Sequence, residues 1–176
     1  MGFRTKTEQI QRPRCGYQQR TKSENSFYDY VKTQDSGVQN SVIALLKAAK
    51  IRFPPLEWDI RNVPCFRIKA KQLGVLGNDE ISAGLLTVHG DGRISSNVDY
   101  YASDESPQTD RTTLGKYFHK QIRMRVFNGI DRFEIAKAQP PTPGLEAKYV
   151  EYQFWTGKED EIIKILDEIK AGRWVR

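Results

Sequence analysis

Phe66-Arg67-Ile68-Lys69-Ala70-Lys71 alternates apolar and cationic residues without a break. A period of two sends successive side chains to opposite faces of an extended chain. The stretch therefore predicts a β-strand with Phe66, Ile68 and Ala70 toward a core and Arg67, Lys69 and Lys71 along one outer strip. Upstream, Trp58 and Ile60 alternate with charged neighbours. Before them, Val38, Val42, Leu45, Leu46 and Ala49 fall on one stripe of an amphipathic helix over Val38 to Lys50. Asp35 or Ser36 can cap that helix, and Pro54-Pro55 prevents its continuation.

Downstream, Gly74 and Gly77-Asn78 mark turns. Ile81 to Val88 and Arg93 to Tyr101 read as a β-hairpin closed by His89-Gly90-Asp91-Gly92, whose glycines permit a tight reversal. Because this loop opens no helix, it is read as a turn and not as a phosphate-binding loop. A second helix is predicted over Arg111 to Asn128, burying Leu114, Tyr117, Phe118 and Ile122, capped by Asp110 and stopped by Gly129. Phe133 and Ile135 alternate as in a strand, and Pro140, Pro141, Pro143 and Gly144 make a stiff loop. Tyr149 to Trp155 reads as the last strand. A third helix over Lys158 to Ala171 carries Ile162, Ile165, Leu166 and Ile169 on one face and ends at Gly172.

This order lacks the regular alternation of a doubly wound parallel sheet. It predicts an α+β fold with an antiparallel or mixed sheet of about five to six strands and three covering helices. The 176 residues suffice for one such domain, expected over 35–176, and 38% hydrophobic residues with 19 aromatics can fill its core. Residues 1–34 show neither period and are expected to form a flexible basic arm.

The net charge of +6 is segregated. Residues 1–33 hold seven Lys or Arg against three acidic residues, a net +4, which leaves +2 for the body. Three sets of cations result: Arg12, Arg14, Arg20 and Lys22 with Arg4 and Lys6 in the arm, Arg67, Lys69 and Lys71 on the strand, and Lys116, Lys120 and Arg123 on one helix face. Regularly spaced cations can follow a phosphate backbone without reading its sequence, so the partner these sets point to is DNA or RNA. Solvated faces and edge-strand lysines are the competing explanation. A basic arm that could extend roughly 100 Å also suits self-assembly or a protein complex, as in a virion or ribonucleoprotein particle.

The enzymatic alternative is a metal-dependent nuclease, which needs carboxylates to hold Mg²⁺ and a lysine near the attacked phosphate. Glu146-Ala147-Lys148 has that spacing, with Asp131 and Glu134 as further carboxylates. Glu168-Ile169-Lys170 repeats the spacing on an amphipathic helix, so chance produces it in this chain. His89 and His119 would have to converge for imidazole acid–base chemistry, and the Tyr100-Tyr101 pair lacks a His-x-His metal pair beside it. Trp58, Trp155 and Trp174 read as core or docking residues. The expectation is therefore a binding protein with no catalytic residue, metal or cofactor. Two cysteines, Cys15 and Cys65, give neither a metal-ligand spacing nor a disulfide framework. With no apolar leader region or membrane-length stretch, a cytoplasmic setting without membrane contact is expected.

Overall fold

The computed structural model describes residues 22–60, 63–76, 84–96, 110–138 and 149–175. Its elements are α1 (Lys22–Val31), α2 (Ser36–Arg52), β1 (Glu57–Asp59), β2 (Cys65–Ile68), β3 (Leu86–His89), β4 (Ile94–Ser95), α3 (Asp110–Arg125), α4 (Arg132–Ala138) and α5 (Glu159–Lys170). Short 3₁₀ turns cover Ala70–Leu73, Tyr152–Phe154 and Arg173–Val175. The fold is α+β.

Among the described residues the sheet has four strands, all antiparallel, in the order β1-β2-β3-β4. The sequence predicts five to six strands, and the described residues form four. Phe133 and Ile135 lie in α4 and not in a strand, because the Asp131 carboxylate accepts the Glu134 N–H at 3.1 Å and its carbonyl accepts the Ile135 N–H. The two side chains part company accordingly: Phe133 is buried against Phe127 while Ile135 is 46% exposed. Of the expected strand over Tyr149 to Trp155, Val150 alone pairs, in an isolated bridge to Ile94, before the chain turns into Tyr152–Phe154.

The expected hairpin is present in part, with Val88 opposite Ile94 and Thr87 opposite Ser95. Its strands are Leu86–His89 and Ile94–Ser95, so His89 belongs to the first strand and not to the loop. Residues 81–83 and 97–101 of the expected strands lie outside the described residues. Gly92 has a φ of +87° in its turn, and a Cβ there would meet Tyr152 at 2.8 Å. The Gly92 carbonyl also accepts the indole N–H of the fully buried Trp155 at 2.8 Å. That bond ties the turn to the C-terminal segment.

Three expected helices are present as α2, α3 and α5, and among the described residues two more accompany them. Residues 22–31, expected in the arm, form α1, whose Glu24, Phe27 and Val31 are buried at helical spacing. Phe27 meets Trp58 at 5.5 Å and Phe66 at 5.6 Å, which joins α1 to β1 and β2. Glu24 pairs with Lys50 of α2. The buried stripe of α2 packs against that of α5, while α3 covers another side of α5.

The folded body thus begins at or before α1. Replacing Phe27 by Ala should lower stability by about 3–5 kcal/mol, the usual loss for a buried aromatic. Denaturant unfolding measures it; an unchanged midpoint would place α1 outside the cooperative unit.

Candidate functional site

The strand cations are engaged by their own sheet. β1 and β2 pair with Glu57 opposite Arg67 and Asp59 opposite Cys65. This register sets Asp59 diagonal to Arg67 and Glu57 diagonal to Lys69, within reach of long side chains. Arg67 Nη2 lies 2.7 Å from Asp59 Oδ2, and Lys69 Nζ pairs with Glu57 Oε2. Lys69 is only 8% exposed. The strand itself stops at Ile68: the Lys69 N–H is taken by the Gln72 side chain at 2.8 Å and the chain enters the turn Ala70–Leu73. Lys71 stands exposed on that turn. The three cations consequently do not form one extended strip.

The helical set is assembled as its spacing implies. Lys116, Lys120 and Arg123 occur at i, i+4 and i+7 on α3, and together with His119 they line a cavity of about 220 Å³. The opposite side of α3 buries Leu114, Phe118 and Ile122, which fixes this face outward. Lys120 and Arg123 make no ion pair among the described residues. The Nε of Arg123 is buried without a hydrogen-bond acceptor there. An unsatisfied buried donor costs about 1–3 kcal/mol, a deficit that an oxyanion in the cavity would remove. His119 Nε2 lies 2.7 Å from Asp131 Oδ2, an ion pair when the imidazole is protonated.

Arg125 shows why the neighbouring charge is different. It bonds Glu161 at 3.0 Å through Nε and Glu168 at 2.8 Å through Nη1, both on α5, and Glu168 also accepts the Tyr117 hydroxyl. Its charge serves the α3–α5 contact. Lys22 is exposed at the start of α1, while Arg12, Arg14 and Arg20 lie outside the described residues.

Of the carboxylates considered for catalysis, Asp131 and Glu134 are described, both at the start of α4. Glu134 is exposed on α4; Glu146, Lys148, Tyr100 and Tyr101 lie outside the described residues. Among the described residues no group of three His, Cys, Asp or Glu side chains is placed to hold a metal ion. No described helix is long and apolar enough to cross a membrane.

His89 is buried at the end of β3, with the Tyr149 ring edge-on at 4.8 Å, and shares no described cavity with His119. A second cavity missed by the sequence reading, about 130 Å³, lies between α4 and the Tyr149–Phe154 segment. Ile135 and Phe154 are partly exposed at its wall. Comparison of the chain with protein-family models, curated proteins and solved structures yields no match.

Burial, reinforced by Arg93 and Arg67 against the opposing pull of Asp91 and Asp59, lowers the His89 pKa to about 4. The unfolded chain then binds the proton more readily between pH 4 and 6.5. The neutral ring's contribution is complete above pH 6.5 and is lost as pH falls toward 4, by about 3 kcal/mol in all. Unfolding free energies across this range should fall less steeply in a His89→Gln variant. Parallel profiles would show that His89 is not the titrating group.

Proposed function

We propose that the protein is a nucleic-acid-associated binding protein that contacts the phosphate backbone through the α3 face, in a cytoplasmic setting and without catalysing a reaction. The observation that carries this reading is the cavity lined by Lys116, His119, Lys120 and Arg123, where a buried guanidinium Nε has no acceptor among the described residues. Phosphate oxygens supply acceptors of the required charge, and a planar guanidinium with two flanking lysines suits a phosphodiester.

Like charges at i and i+4 repel by a few tenths of a kcal/mol on an isolated helix. A bound phosphate reverses that sign. Arg12, Arg14, Arg20 and Lys22 add contacts in this proposal, since backbone neutralisation depends on the number of cations that meet phosphates and not on base reading. Arg67 and Lys69 contribute little to it because their carboxylate partners would have to be released first. Lys71, exposed and without an ion pair among the described residues, remains available. No base-specific contact is part of the proposal.

Replacing Lys120 and Arg123 together by Gln should weaken binding to a mixed-sequence oligonucleotide. It should also flatten the slope of log affinity against log salt by about one and a half to two units. Arg67→Gln should leave that slope unchanged while lowering stability, because the Arg67–Asp59 ion pair is lost. A slope insensitive to the Lys120 and Arg123 change, in a folded variant, would remove α3 as the phosphate-binding face.

A further inference from the structure

The cavity at α4 differs in chemistry from the cavity on α3. Arg132, Ile135, Tyr149, Glu151 and Phe154 contribute to its wall. The Arg132 guanidinium carbon lies over the Phe154 ring at 4.0 Å from its centroid. It makes no ion pair among the described residues. Arg93 lies over Tyr149 in the same manner at 4.3 Å. Phe154 is 37% exposed. The wall therefore holds two cation–aromatic stacks with one carboxylate beside them, and the partly exposed Phe154–Arg132 stack is the flat surface it presents.

The two cavities are neighbours through the chain itself. Asp131 touches His119 of the α3 cavity, and Arg132, the next residue, lines the α4 cavity. Consecutive Cα atoms lie about 3.8 Å apart, so the Asp131-Arg132 dipeptide links a contact of the cationic wall to a member of the aromatic one.

Resting on the phosphate-binding reading above, we infer that Arg132, Tyr149 and Phe154 form a stacking site for an unpaired nucleobase of the strand whose phosphate occupies the α3 cavity. The ligand class is then single-stranded nucleic acid. Only an unpaired base has a face free to lie on a guanidinium plane or an aromatic ring; in a duplex both faces are covered. The charges of Arg132 and Glu151 on this wall offset one another, so the second cavity suits a neutral base better than it suits a phosphate.

Fluorescence anisotropy with three labelled probes of equal length separates the parts of this proposal: a pyrimidine single strand, the same backbone with abasic sites, and a duplex. The intact chain should bind the base-bearing strand about 10-fold more tightly than the abasic strand and more tightly than the duplex. Phe154→Ala should remove most of that preference without changing affinity for the abasic strand, and Phe154→Trp should restore it. Thermal unfolding confirms that each variant is folded. Equal affinity for abasic and base-bearing strands would overturn the stacking site while leaving phosphate binding in place. A preference that survives Phe154→Ala and Arg132→Gln would overturn it equally. Absence of binding to all three probes would overturn both readings.

Discussion

Charge neutralisation by the body's own carboxylates decides where this fold can offer positive charge. A cation brought partly out of water loses solvation worth several kcal/mol unless a carboxylate meets it. The sheet and the helix contacts obey that constraint: Asp59 meets Arg67, Glu57 meets Lys69, Glu24 meets Lys50, Asp91 meets Arg93, and Glu161 with Glu168 meets Arg125. The near-balance of charge in the body reflects these pairings. Among the described residues Lys120 and Arg123 escape them, on a face of α3 that lines an open cavity. Position on the fold, more than the number of cations, therefore separates structural charge from charge available to a ligand.

Asp131 is the joint between the structure and the candidate surfaces. Its carboxylate closes the first turn of α4 through the Glu134 N–H and touches the imidazole of His119. Phe133, two residues on, packs into the core against Phe127 and fixes α4 in place. One side chain thereby joins the start of α4, which carries Arg132, to His119 on α3.

The sequence reveals most of the regular elements, with identifiable exceptions. Alternation from Phe66 to Ile68 marks a true strand, but the Gln72 side chain competes for the Lys69 N–H and ends it. α1 escapes notice because one member of its buried stripe is Glu24, whose partner Lys50 is 26 residues away. α4 imitates a strand through Phe133 and Ile135, although Asp131 followed by Glu134 carries the pattern of a capped helix start. The α3 cations are legible because a helix makes their spacing meaningful at once. The pairings that silence Arg67 and Lys69, the contact of His119 with Asp131 and the second cavity all depend on tertiary register, which periodicity does not contain.

Arginine Nε–H groups give separate proton–nitrogen resonances, so a single NMR titration with a single-stranded oligonucleotide compares Arg123 and Arg67 in the same molecule. The account predicts that the Arg123 Nε–H signal moves progressively as its missing acceptor is supplied. The Arg67 signal, held by Asp59, should stay in place. Movement of the Arg67 signal with an unmoved Arg123 signal would contradict it.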